Sequence, residues 1–178
     1  MEDLVILVDE RDNQVGTMGK LEAHLTGSLH RAFSVFIFNN QHELLLQQRA
    51  FAKYHSGGLW TNTCCSHPKP GETLCAAANR RLQEEMGMKS ELVYGFPFTY
   101  EAAFTNDLIE HEYDHVFFGY SDILPVPNPE EVASFKYLSL TALEQELNAK
   151  PEAYSAWLKI CFKKMVEYKE LKLWTAGL

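Results

Sequence analysis

Residues 61–87 read TNTCCSHPKPGETLCAAANRRLQEEMG. The stretch changes character midway. Up to Gly71 it closes a long segment, 50–71, rich in Gly, Pro, Ser and Thr and carrying Trp60, which reads as a loop. Loops of that length inside a compact domain are usually functional. From Thr73 to Met86 the composition is helical, and Gly87 is a residue that ends helices. A loop loaded with reactive side chains therefore feeds directly into a helix with two arginines and two glutamates.

The loop holds adjacent cysteines, Cys64 and Cys65, followed by His67. A single cysteine is most often a small buried hydrophobe, and a loop histidine is most often solvated. Two adjacent cysteines on an extended backbone point to opposite sides, so one packs inward while the other faces a cleft. Cys65 and His67, two residues apart, then point the same way. On the helix, Arg80–Glu84 and Arg81–Glu85 are ordinary i, i+4 pairs of a solvated face, each worth a few tenths of a kcal/mol. Glu72 stands at the start of that helix.

Further out, Leu4 to Val8 reads as a buried strand, followed by a polar turn at 9–13. Residues 17–24 (TMGKLEAH) read as a short helix with Lys20 and His24 on one face. SVFIF at 34–38 and ELLLQQ at 43–48 flank Asn39–His42, which predicts a hairpin. Strand patterns follow near 91–95, 97–104, 112–121 and 132–138. Thr141 with Glu144 forms a capping-box pattern opening a helix at 141–149. A last helix spans about 152–171, with Tyr154, Trp157, Leu158, Cys161 and Met165 on one stripe. Strands mixed with a few helices predict a mixed α/β or α+β fold, in one domain spanning 1–178. In a strand, Glu110 and Glu112 project to one face and His111 to the other.

Composition narrows the function. The 178 residues are 46% hydrophobic and 22% charged, which excludes a disordered chain. Sixteen Lys and Arg against 24 Asp and Glu give −8, which argues against general nucleic-acid binding. A local cluster of cations can still hold a phosphate. No apolar run reaches the length of a membrane span, and four cysteines, two of them adjacent, make no secreted disulfide framework. A soluble protein of the reducing cytoplasm is expected.

Residues 66–88 follow the spacing of the Nudix box, with Glu72, Arg80, Leu82, Glu84, Glu85 and Gly87 in place. Ser66 stands where that box begins with Gly, and Arg81 where it has Glu. Exchanging Glu for Arg removes an anionic ligand and adds a cation, which favours a diphosphate oxygen over Mg²⁺. A Nudix-type diphosphohydrolase is therefore the disfavoured alternative. A binding module without catalysis is a second rival.

Taken with EHE at 110–112, KLEAH at 20–24 and LHRAFSVFIF at 29–38, the chain resembles the type I isopentenyl-diphosphate Δ-isomerases over about residues 5 to 160. The resemblance implies a Nudix-like α/β/α sandwich with mixed β-sheets, and interconversion of isopentenyl and dimethylallyl diphosphate for isoprenoid biosynthesis. It implies Cys65, Glu112 and Tyr100 as catalytic residues, with Glu112 and Tyr100 protonating the alkene and Cys65 exchanging a proton on the opposite face. It implies His24, His30, His67, Glu110 and Glu112 as ligands of one divalent ion, Mn²⁺, Zn²⁺ or Mg²⁺. Glu85 corresponds to the residue holding a diphosphate-bridging Mg²⁺. Lys20, Arg49, Lys53 and Arg81 match diphosphate contacts, and Trp157 an aromatic beside the hydrocarbon. The partner is a small diphosphate, with no nucleic acid, no membrane and no stated oligomeric state.

Overall fold

The computed structural model describes residues 3–53, 55–104 and 107–169. Strands β1 (Leu4–Val8) and β2 (Gln14–Gly19) form an antiparallel pair across the polar turn, and α1 (Lys20–Thr26) follows. The helix begins at Lys20, not at residue 17, because Gly16 to Gly19 remain paired to β1. Lys20 and His24 keep their i, i+4 relation.

The central strand is β3 (His30–Phe38). It pairs antiparallel with β1 and with β6 (Cys64–Ser66), and parallel with β8 (Ile109–Tyr120) from His30↔Glu112 to Phe38↔Tyr120. Strand β7 (Val93–Ala103) runs antiparallel to β8. It is one strand where two were expected, with an irregularity between Tyr94 and Pro97 in place of a break.

The turn at 39–42 forms as expected, with Asn39 N–H donating to Glu43 O and His42 in the left-handed region at φ 59°. Its two strands then separate. Strands β3 and β4 (Leu44–Arg49) share a register only at Phe38↔Leu44, while β4 pairs along its length with β9 (Val132–Leu138) and at its end with β5 (Trp60–Thr61). Residues 61–63, fully buried, fill the gap as a wedge. Thr63 Oγ1 accepts from Ile37 N–H at 2.9 Å and donates to Leu45 O at 2.6 Å. Asn62 Nδ2 donates to Val35 O and Cys64 O. Side chains thus satisfy backbone groups that a neighbouring strand would otherwise serve. The expected loop at 50–71 contains this wedge and two short strands.

Successive residues of β3 feed opposite faces. Phe33, Val35 and Ile37 pack with Leu45, Cys64 and Phe117 against α2 (Leu74–Met86). Phe36 and Phe38 pack with Val116 and Phe118 against α3 (Leu140–Ala149) and α4 (Ala156–Tyr168). Helices cover both faces of a mixed sheet, the expected α/β/α sandwich. Thr73 caps α2 by accepting from Ala76 N–H at 3.3 Å. Gly87 closes it at φ 64°, where a Cβ would stand 2.4 Å from Val126 O.

Two helix starts differ from expectation. Ser139, not Thr141, caps α3, accepting from Ala142 N–H at 3.2 Å. A single 3₁₀ turn at Pro151–Ala153 precedes α4, whose cap is Ser155. That cap also donates to Thr61 Oγ1 at 2.9 Å, tying α4 to the wedge. Tyr154, Trp157, Leu158, Cys161 and Met165 are all buried, as the stripe predicted. The expected helical residues 170–171 lie outside the described residues.

Candidate active site

Cys64 and Cys65 do point to opposite sides of the sheet. Cys64 lies in the core under α2, whereas Cys65 packs beside the α4 core and lines a cavity of about 40 Å³. Tyr100, Glu110, Glu112, His67, Trp157 and Arg49 line the same cavity. Strand β8 presents Glu110 and Glu112 to this side, both buried, and β7 places Tyr100 directly across from Glu112 in register.

The Tyr100 hydroxyl bridges the two carboxylates, 2.7 Å from Glu112 Oε2 and 3.1 Å from Glu110 Oε2. Burial, with the adjacent Glu112 charge, pushes Glu110 up to about 8. Burial would raise Glu112 too, but the adjacent His30 and His67 imidazoles outweigh it and hold this carboxyl well below the usual range. Burial also pushes the Tyr100 hydroxyl up, and pushes Cys65 up against the opposing pull of Arg49. At rest the sulfur and the phenol therefore carry protons while Glu112 is ionised. Burial disfavours the thiolate.

His24, His30, His67 and Glu112 bring one ligand atom each within 4.8 Å of one another. His24 comes from α1, His30 from the first position of β3, His67 from the residue after β6 and Glu112 from β8. Glu112 Oε1 is 2.9 Å from His67 Nε2 and 3.6 Å from His30 Nε2. His30 Nδ1 lies 2.8 Å from Ser28 O, so the N–H sits on Nδ1 and the Nε2 lone pair faces the cluster. That buried Nε2 makes no hydrogen bond. Burial, together with the neighbouring histidines, lowers His24 to about 3. Burial lowers His67 to about 4, against its hydrogen bond to Glu112. Neutral imidazoles and an ionised carboxylate are the states in which these groups ligate a cation. The donor set fits a divalent ion of borderline to hard character.

Two expected ligands stand apart from this cluster. Glu110 turns to Tyr100 and to His55, whose Nε2 is 3.5 Å from its Oε1. Glu85 lies on α2, where Oε1 accepts from Arg81 Nη2 at 2.6 Å and Oε2 from Gln47 Nε2 at 2.8 Å. With both oxygens engaged, Glu85 does not form a metal site by itself. Mg²⁺ typically takes one or two protein carboxylates and completes its shell from substrate phosphate and water.

The expected phosphate contacts divide between two adjoining cavities. Lys20 and Arg49 line the first. A second cavity, of about 460 Å³, is lined by Lys20, Lys53, Lys69, Arg80 and Arg81. Lys20, Ser66 and His67 border both. Burial depresses Lys20, and the charges of Arg49 and Arg81 add to that effect. Arg81 is tied to Glu84, Glu85 and Glu131, and Lys53 pairs with Glu131. Arg49 stacks over the Trp157 ring at 5.2 Å, and Trp157 Nε1 donates to Asn62 Oδ1 at 3.1 Å.

Sequence reasoning missed His55, Ser34 and Ser66 as cavity residues. Nothing in their local pattern sets them apart. His55 reads as one more solvated loop histidine, and Ser34 as a polar interruption of an apolar strand.

A family model for the NUDIX domain matches residues 28–158. The chain is 55% identical to isopentenyl-diphosphate Delta-isomerase 1 of Aromatoleum aromaticum, with 96% of each chain covered. It is 52% identical to isopentenyl-diphosphate Delta-isomerase of Pectobacterium atrosepticum, with 92% of each covered. Among solved structures, a Deinococcus radiodurans protein superposes with a TM-score of 0.76 at 21% identity, covering 90% of this chain and 98% of that one. A MutT protein from Methanosarcina mazei Go1 gives 0.63 at 21%, covering 81% and 96%; both likenesses show the fold alone. With a NUDIX match over most of its length and relatives more than half identical from end to end, the chain belongs to the isopentenyl-diphosphate Δ-isomerases, a family built on the Nudix fold.

Proposed function

We propose that this protein interconverts isopentenyl and dimethylallyl diphosphate, moving a carbon–carbon double bond by one position. The observation that supports it best is the shared cavity. A thiol and a phenol–carboxylate pair line one narrow space, and its neighbour is walled by cations. The reaction adds a proton to the terminal alkene carbon and removes one from the carbon two positions away, through a tertiary carbocation that water would quench. An unactivated alkene is a very weak base, so the donor must be well placed in a closed site.

Tyr100 with Glu112 serves one side and Cys65 the other. The two sides share one transferable proton. The protonated side gives it to the alkene and the other, unprotonated, takes one from the carbon two positions away, so a turnover moves the proton across the slot and the reverse turnover moves it back. Trp157, stacked on Arg49, offers its π face to the cation, worth about 2 kcal/mol when desolvated. Lys20, Arg49, Lys53 and Arg81 anchor the diphosphate, binding energy remote from the reacting carbons. A divalent ion held by His24, His30, His67 and Glu112, with Glu110 beside them, would supply Lewis acidity that sharpens the proton shared by Tyr100 and Glu112. Mg²⁺ near Glu85 would draw most of its ligands from the diphosphate itself.

Hydrolysis is not favoured, because Arg81 engages the α2 carboxylates that a hydrolytic metal would need. Among the described residues no helix is long and apolar enough to cross a membrane. Action in the cytoplasm, by one domain spanning the chain, completes the proposal. The test is incubation with isopentenyl diphosphate in deuterated water, followed by NMR. Deuterium in a dimethylallyl product is expected. Phosphate release without isotope uptake would overturn the assignment in favour of a hydrolase.

A further inference from the structure

The segment after β4 runs along the surface. Phe51, for instance, is 74% exposed. Yet His55, in the middle of it, has a side chain only 7% exposed, and its ring lines the Cys65–Glu112 cavity. The backbone is arranged to aim it there. Arg49 Nη2 donates to His55 O at 3.4 Å, and Gly58 N–H donates to Arg49 O at 3.0 Å, folding the segment back on β4. Gly57 is required at the fold, since a Cβ there would stand 2.7 Å from Phe51 O. The ring meets Trp157 edge-on, with centroids 6.3 Å apart, and tilts against Phe104 at 5.3 Å.

Its nitrogens are distinguished by their neighbours. Nδ1 lies 3.3 Å from Ser56 Oγ, and Nε2 lies 3.5 Å from Glu110 Oε1. A hydroxyl donating to Nδ1 leaves the N–H on Nε2, the nitrogen facing the carboxylate. Glu110 is thereby approached at both oxygens: Nε2–H at Oε1 and the Tyr100 hydroxyl at Oε2. A polar contact at one oxygen restrains how the carboxylate turns at the other.

We propose that His55 is a positioning residue for isomerisation. It fixes Glu110 through Oε1, so that Glu110 Oε2 and Glu112 Oε2 hold the Tyr100 hydroxyl at one point in the slot. The proposal rests on the assignment of Tyr100 and Glu112 to the reacting end. His55 is not one of the four cluster residues, although its ring stands edge-on to that of His24 at 5.7 Å, so metal affinity is measured beside turnover to separate the two effects.

Two substitutions separate shape from hydrogen bonding. His55→Phe keeps a flat ring of similar size against Trp157 but removes the donor, and His55→Gln restores a donor without the ring. Small misplacements at a reacting centre cost up to about a hundredfold. For a group one step removed, His55→Phe should lower kcat about tenfold with KM changed by less than about twofold, and His55→Gln should recover most of that loss. Mn²⁺ affinity, measured by calorimetry on the metal-stripped protein, should stay within about twofold in both. In a Glu110→Gln background, adding His55→Phe should cost nothing more, as expected for residues acting in series. Wild-type kcat in His55→Phe, equal loss in both variants, a tenfold fall in Mn²⁺ affinity, or additive losses with Glu110→Gln would each overturn the proposal. Glu112→Gln assayed alongside separates the failures. If it turns over normally, the underlying site assignment is wrong; if it is inactive while His55→Phe is unimpaired, only the role of His55 falls.

Discussion

Helix α2 and the histidine cluster are both sets of potential ligands, yet they differ in how their charges are spent. On α2, Glu84 and Glu85 are engaged by Arg81, and Glu72 by Arg80 at 2.7 Å. The helix is a closed electrostatic unit, its anions already compensated. Across the sheet, three imidazoles and one carboxylate converge, with the Lys20 charge acting on His24 and His67 and drawn to Glu112. One surface is neutralised from within; the other gathers donor atoms that could hold a cation. The position of one arginine makes the difference: Arg81 engages the α2 carboxylates that would otherwise be open to a cation.

The sharpest tests separate chemistry from scaffolding on the two sides of β6. Cys65→Ala and Glu112→Gln should each lower kcat by a thousandfold or more, on the order of the largest general acid–base effects, with thermal unfolding little changed. Near-normal turnover in either would dissolve the contrast between an active side and a structural one. Removing the metal with a chelator, or replacing a ligand by His30→Asn, should lower activity about a hundredfold, and added Mn²⁺ should restore the chelated protein but not the variant. Activity that survives exhaustive chelation would mean that the cluster is self-sufficient after all.

Arg81→Glu probes the other region. It should raise KM for the diphosphate about tenfold, the loss of one well-placed charge contact, while creating a cation site on α2 visible by Mn²⁺ calorimetry. No change in either quantity would show that Arg81 serves α2 alone. Cys64→Ala should leave kcat within about twofold and cost about 1–2 kcal/mol of stability, as a small cavity in the core under α2.

Acidity provides a milder version of the same comparison. The folded protein holds His24 and His67 near 3 and 4, below the value near 6.5 of an unfolded chain. Between those values the unfolded state binds more protons, so stability of the metal-free protein should fall as pH drops from about 6.5 toward 4. Urea midpoints across that range measure it, and His67→Asn should flatten the slope. A midpoint independent of pH would mean that the imidazoles are not desolvated as described.

Much of this was legible in the sequence because it depended on local alternation. The opposite facing of Cys64 and Cys65, the shared face of Glu110 and Glu112 and that of Lys20 and His24 follow from periods of two and 3.6. Gly87 marks the end of α2 by its own backbone freedom, whereas Thr73 is the cap of that helix and not its first residue. What local pattern could not supply was partner choice. The Asn39–His42 turn predicts a hairpin, but β4 pairs with β9, some 90 residues on, and a polar wedge at 61–63 takes the place of the expected neighbour. The ligand set assigned by resemblance came together only in part. Glu110 and Glu85 are diverted by His55 and Arg81, contacts between side chains that no spacing encodes. His55 itself depended on the fold-back around Gly57.

The parallel register of β3 and β8 sets His30 level with Glu112, although 82 positions separate them along the chain. Neither strand alone carries enough of the cluster to retain a cation, and a slip by one residue would turn the glutamate to the far surface. Capture of an ion there would certify that two distant segments have docked in the correct alignment. In a refolding experiment, Mn²⁺ uptake should lag behind helix formation and coincide with the last, slowest contacts to close.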